Sequence, residues 1–201
     1  MTKPLAPTRL RILDAALDLF GSRGFEAVSL DEIAVSVGVA TQTVLYWFAS
    51  KDELLRGVVA HTSEELIAAV EAAARNSGEG FSGIEAVVKA VFRPAVRRPA
   101  LLGLVRELNR LGPDISAVLT AQLGPLVDRA VAWMTAEMQA GRLRRSDPRL
   151  TLSLVYATVV GVATEPEALR MFGWEANATG LRRLRAELLA FLRAALAPAA
   201  D

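Results

Sequence analysis

Cysteine is absent from this 201-residue chain, and His61 is its only histidine. Both a disulfide framework and any ordinary zinc site are thereby excluded, and with them the zinc-dependent routes to nucleic acid. A nucleophile, histidine and acid set would have to be assembled around His61 with a serine or a carboxylate. No paired arrangement of that kind stands out, so the chain does not read as an enzyme and calls for no cofactor or metal. Long apolar runs are missing as well. The two longest uncharged stretches, residues 33–50 and 150–164, are 18 and 15 residues long and both carry Ser and Thr, whereas a membrane helix needs about 20 predominantly apolar residues. Arg9, Arg11, Asp14 and Asp18 interrupt every apolar core that a secretory signal would require. The expectation is a cytoplasmic protein with no membrane partner. Lysine is scarce, three residues against twenty arginines, which with the abundant alanine fits a GC-rich bacterial genome.

The chain does have apolar residues at helical spacing. At 52% hydrophobic composition it can bury a substantial core, enough for one small domain and a larger one. The pattern predicts an all-α protein of about nine helices, near 8–23, 30–37, 41–48, 51–76, 81–97, 99–111, 114–141, 147–164 and 177–197. Pro125 should kink or split the seventh. The NSGEG stretch at 76–80 reads as the seam between domains.

Residues 29–53 carry the sharpest signal. Ser29 and Glu32 have the spacing of a capping box, with Val28 and Ile33 placed as its hydrophobic staple. Ile33, Ala34 and Val37 form the buried stripe of a short helix, which Gly38 ends. Val44 and Phe48, four apart, give the next helix its own buried edge. A third helix opens at Ser50, where Ser50 and Glu53 repeat the capping pattern and Leu54, Leu55, Val58 and Val59 continue inward. Two short helices crossing at a glycine turn form a helix-turn-helix, the arrangement that puts a helix into DNA. The outer face of the second helix carries Thr41, Gln42, Thr43, Leu45, Tyr46 and Trp47 without a carboxylate. A solvated face would carry Glu or Lys.

With Ile33-Ala34, Gly38-Val39, Tyr46-Trp47-Phe48 and Ser50-Lys51-Asp52-Glu53-Leu54 in place, the stretch from about Thr8 to Glu65 resembles the DNA-binding domain of the TetR (tetracycline repressor) family. The chain departs from that family at Ala40, where a capping Ser is usual, and at Leu45, where a DNA-contacting Tyr is usual. The resemblance implies a DNA-binding domain at 1–53 and an effector-binding and dimerisation domain at 54–201. It further implies a ligand-responsive homodimer, a repressor acting on near-palindromic double-stranded operator DNA. Two recognition helices would then lie about 34–36 Å apart on successive major grooves.

DNA contacts are expected from Ser29, Thr41, Gln42, Thr43, Leu45, Tyr46, Trp47 and Lys51. Gln42 can pair with adenine N6 and N7, and Leu45 can press on a thymine methyl. Tyr46, Trp47, Thr43, Ser29 and Lys51 can reach phosphates. The first 56 residues sum to a charge of −1, so attraction to duplex of any sequence should be modest and its salt dependence shallow. Leu181, Leu184, Leu188, Phe191 and Ala195 advance by three and four, a seam expected at the dimer interface together with the apolar helix at 150–164. Phe92, Trp133, Met134, Met138, Tyr156 and Thr158 can line a pocket for a small, apolar effector. Arg106, Glu107 and Asn109 read as solvated surface. The rival reading is a helical small-molecule binding protein or enzyme in which the helix-turn-helix is only scaffold.

Overall fold

The computed structural model describes residues 7–110, 113–164, 170–175 and 177–198. Among them are nine helices and no strand: α1 (Pro7–Arg23), α2 (Leu30–Val37), α3 (Thr41–Trp47), α4 (Lys51–Arg75), α5 (Phe81–Arg97), α6 (Ala100–Arg110), α7 (Pro113–Gln139), α8 (Pro148–Thr164) and α9 (Ala178–Leu196). The all-α expectation holds, with helix ends within two residues of those read from periodicity. Pro125 does not split its helix, because α7 runs uninterrupted from 113 to 139. None of the described helices is long and apolar enough to cross a membrane.

By packing, the chain divides into Met1–Glu64 with Pro99–Gln122, and Glu65–Arg98 with Leu123–Asp201. The loop at 76–80 therefore lies inside the second unit and is not a domain seam. Helix α6, which a division after residue 53 places with the C-terminal domain, packs instead against α1. Small residues make that contact possible. A Cβ on Gly103 would overlap the carbonyl oxygen of Gly21, and one on Gly21 would overlap that of Ala100, so the two backbones meet with nothing between them. Around this crossing Ile12, Leu13, Ala16, Phe20, Val28, Ile33, Val44, Phe48, Leu54 and Leu104 form a single buried core. Phe20 and Phe25 stack edge to face within it, centroids 5.2 Å apart. Glu107 of α6 accepts the Phe25 backbone N–H at 3.2 Å and is half-buried, which corrects its reading as solvated surface.

The second unit gathers Ile84, Val88 and Phe92 of α5, Met134 and Met138 of α7, Leu143, and Leu188, Leu192 and Leu196 of α9. One polar group is buried at its edge. Glu137 accepts from Arg142 Nε at 2.6 Å and from Nη2 at 2.7 Å, and also from the backbone N–H of Gly80 at 2.7 Å. The loop before α5 is thereby pinned to the end of α7. The guanidinium hydrogen bond holds the Glu137 carboxyl below the usual carboxylate range, in keeping with a charge-assisted bidentate pair.

Two outcomes follow for stability. Gly103→Ala should cost about 1–3 kcal/mol by overpacking the α1–α6 crossing, read as a lower urea midpoint with unchanged slope; an unchanged midpoint would refute the close approach. Glu137→Ala should cost about 1–3 kcal/mol, because it leaves the Gly80 N–H unpaired and Arg142 only its longer 3.6 Å ion pair to Glu79. Since the folded pKa of Glu137 is depressed, its contribution is present above the ordinary glutamate value of about 4.3 and is lost as pH falls through the folded value. The stability gap between the wild type and Glu137→Gln should therefore close on acidification below about pH 4.3, and a gap constant to pH 2 would contradict the pairing.

Candidate nucleic-acid interface

Helix α2 starts where its sequence says it should. The Ser29 hydroxyl accepts from the Glu32 N–H at 3.2 Å, while the Glu32 carboxylate accepts from the Ser29 N–H at 2.8 Å and from the Ser29 hydroxyl at 3.1 Å. Arg23 adds an ion pair to Glu32 at 2.7 Å. The backbone hydrogen bond from Ser29, with Arg23 and the Ser29 hydroxyl behind it, lowers the Glu32 pKa to about 2. At the other end Gly38 adopts φ 72°, a left-handed turn that Gly enters without the steric cost of a Cβ. The Val39 N–H then returns to the Ala34 carbonyl at 3.0 Å, closing the helix in a Schellman-type turn. Arg11 of α1 donates to the Val37 carbonyl, which places a cation at the carbonyl end of α2, where the helix dipole favours it.

That turn aims α3. Its inner edge is Val44, fully buried, with Phe48 just beyond its last residue 4% exposed. Its outer face presents Gln42 and Tyr46, the latter 79% exposed. Thr41, Thr43, Leu45 and Trp47 are half-buried. The Trp47 ring rests against the core and meets Tyr46 edge to face, centroids 5.1 Å apart. Ala40 supplies no side-chain cap. At the start of α4, the Ser50 hydroxyl accepts from the Glu53 N–H at 3.1 Å, and the Glu53 carboxylate takes the Ala49 N–H at 3.1 Å.

The structure thus brings Thr41, Gln42, Thr43, Leu45, Tyr46 and Trp47 together on one short helix. Lys51 stands at the start of α4, its ammonium 4.3 Å above the Phe25 ring and donating to the Glu26 carbonyl at 3.3 Å. Ser29 serves as the cap of α2, its hydroxyl donating to the Glu32 carboxylate at 3.1 Å. Sequence reasoning missed Arg9, whose guanidinium lies 5.0 Å from the Phe48 ring centroid, and Asp31, which accepts the Thr41 hydroxyl proton. Neither had a local signal, because the partners are 39 and 10 residues away.

In the second unit Phe92, Met134 and Met138 are buried in one core, with Trp133 packed against it. The Trp133 ring covers Gly83, where a Cβ would come within 2.6 Å of Cζ2. Tyr156 and Thr158 do not join these four. Both lie on the exposed side of α8, Tyr156 62% exposed and Thr158 donating to its own helix at Leu154 O. A surface cavity of about 330 Å³ is lined by Thr135, Met138, Gln139, Arg145, Ser146 and Pro148; only Met138 belongs to the expected set. Of the α9 seam, Leu181 and Leu188 are buried within the chain's own unit, Leu184 and Ala195 are half-buried, and Phe191 is 62% exposed. The α9 stripe that turns inward is Leu181, Leu188, Leu192 and Leu196, because α9 packs on α5. Leu181 and Leu188 are therefore core residues of the single chain, and not the free seam that their spacing alone suggested.

Comparison with known proteins agrees with this geometry. The family profile described as bacterial regulatory proteins, tetR family, matches residues 12–58, the segment from α1 into α4. The HTH-type transcriptional regulator AlkX of Mycobacterium tuberculosis is 26% identical over 155 residues, 72% of this chain and 72% of that protein. Among solved structures, a Saccharomonospora viridis regulator in complex with choline superposes with a TM-score of 0.80 at 16% identity, covering 95% of this chain and 98% of the other. The transcriptional regulator FadR from Bacillus subtilis, in complex with stearoyl-CoA, gives 0.74 at 17% identity, covering 90% and 97%. With its capped α2, Gly38 turn and outward α3, the chain carries over residues 12–58 the DNA-binding domain of the tetR family of bacterial regulatory proteins, and it is similar to HTH-type transcriptional regulators over most of its length.

Proposed function

We propose that the protein is a homodimeric, ligand-responsive repressor that reads a near-palindromic operator through α3 and is released by a small, apolar effector. The observation that carries this reading is the outer face of α3. Gln42 and Tyr46 point to solvent from a helix without a carboxylate, locked by Val44 and Phe48 to the core behind it. In the major groove Gln42 pairs with adenine N6 and N7, and Leu45 meets a thymine methyl. Tyr46, Trp47, Thr43 and Lys51 take phosphates, which fix register and orientation, while Ser29 positions α2.

Residues 1–53 serve the operator and 54–201 the effector and the dimer, with α6 as the exception that favours control. Because α6 is packed on α1 and holds the Phe25 N–H through Glu107, a ligand that shifts α6 or α4 acts on the scaffold of the recognition helix. Such coupling is typically worth about 1–3 kcal/mol, and requires that the ligand bind the two conformations unequally. Phe92, Trp133, Met134 and Met138 form the apolar wall an effector would meet. Complexes of two structural neighbours with choline and with stearoyl-CoA support a ligand in this fold without indicating which. For the dimer, the unpartnered apolar face is Leu150, Leu154 and Tyr156 of α8 with Phe191 of α9, each more than 60% exposed. Large apolar side chains left exposed on α8 and α9 favour an association surface there.

Titrations against duplexes from the intergenic DNA beside its own gene, at several salt concentrations, test the DNA contacts. Gln42→Ala should weaken the best duplex by about 1–3 kcal/mol and relax preference at one base pair, whereas Lys51→Ala should weaken every sequence alike and lower the salt slope by about 1. Unchanged specificity in Gln42→Ala would refute base readout by this residue. Sedimentation should give the wild type twice the mass of the chain, and Leu154→Glu combined with Phe191→Glu should give a folded monomer. A monomeric wild type, or a double variant that stays dimeric, would remove the proposed interface.

A further inference from the structure

Thr41 opens α3, and its hydroxyl donates to a carboxylate oxygen of Asp31 in the first turn of α2. A hydroxyl ordinarily rotates to suit its partner, donating to one base and accepting from another, but a carboxylate offers only lone pairs. With its proton committed to Asp31, Thr41 is left as an acceptor. Asp31 itself is exposed beside it and is an acceptor too. The pair stands next to Ala40, which gives α3 no side-chain cap, so the Asp31 charge also complements the positive end of the α3 dipole.

We infer that Asp31 and Thr41 form an acceptor-only pair that sets base preference at one position of each half-site, in favour of a base presenting an exocyclic amino group. Adenine N6 and cytosine N4 are the major-groove donors that meet this requirement, whereas guanine O6 and N7 and thymine O4 would face lone pairs. The carboxylate also repels phosphate, which keeps the start of α3 on base edges and off the backbone. Gln42, with both donors and acceptors on its amide, carries no such bias. Thr41 is the contacting group and Asp31 the positioning residue that fixes its polarity. The inference rests on α3 being the base-reading helix.

The test is selection from a pool of randomised duplexes with the full-length protein, followed by sequencing, for the wild type, Asp31→Ala, Asp31→Asn, Thr41→Val and the Asp31→Ala/Thr41→Val double variant. The wild type should enrich adenine or cytosine about tenfold over guanine and thymine at one position, within the discrimination that a single hydrogen-bonded base contact provides. Asp31→Ala should still bind but lose that enrichment, Thr41→Val should lose it as well, and the double variant should resemble Thr41→Val. Asp31→Asn, whose amide also offers N–H donors and can turn either end to Thr41, should reduce it. If Asp31→Ala or Asp31→Asn retains the enrichment in full, hydroxyl polarity does not set the preference and the inference is overturned. If neither Thr41→Val nor Asp31→Ala changes any position while Gln42→Ala does, α3 reads DNA without this pair. Should the wild type enrich no duplex at low salt, the DNA reading itself fails and this inference falls with it.

Discussion

Seven residues make too few backbone hydrogen bonds to offset the cost of nucleating a helix, and α3 has only seven. It holds its shape because Val44 and Phe48 are fixed in a core built by other helices. Much of the first unit serves that constraint. The Ser29–Glu32 box sets where α2 begins, Gly38 sets the angle at which the chain leaves it, and the Ser50–Glu53 pair starts α4 at once, so α3 is tied at both ends. The residues that function needs outward are outward because two apolar side chains are held inward.

The same constraint explains why α6 belongs with the N-terminal helices. A core around α1, α2 and α3 alone would leave one side of α1 uncovered. Leu104 and Leu108 cover it, and they reach it because Gly21 and Gly103 let the two backbones touch. A contact made by backbone atoms has little slack, since close-packed interiors transmit displacement instead of absorbing it. Helix α4 in turn passes without a break from residues of the first unit to those of the second.

What could be read from the sequence was what is local in it. Caps, the glycine turn and the Val44–Phe48 edge depend on residues three or four apart, and each emerged where spacing placed it. Pro125 does not split α7, because a single missing N–H and one ring clash disturb a helix without ending it when its flanks run long on both sides. The seam at 76–80 misled because Gly-rich composition marks a turn, not a boundary of packing; the Gly80 N–H is in fact held by Glu137, 57 residues away. Leu181 and Leu188 have coiled-coil spacing, and periodicity alone does not say whether the facing helix belongs to the same chain. Asp31 with Thr41, Arg9 with Phe48, and Glu107 with Phe25 were invisible for one reason: the fold, and no sequence pattern, brings each pair together.

A DNA-binding segment with net charge −1 cannot rely on bulk attraction, so the state of each cation matters. Lys51 is already seated over Phe25 and hydrogen-bonded to the Glu26 carbonyl, and Arg9 lies over Phe48. Immobilising a free lysine costs up to about 1.5–2 kcal/mol of rotamer entropy, comparable to what one exposed ion pair returns. A lysine ordered on folding does not incur that cost again on binding. An ammonium also has three donors, so Lys51 can keep its carbonyl and offer the remaining hydrogens to a phosphate without leaving its aromatic seat. A recognition surface with few cations is thus served best by cations fixed in advance. In the proposed reading, the discrimination between sequences falls to Thr41, Gln42 and Leu45, where a scarcity of non-specific attraction makes each base contact a larger fraction of the whole.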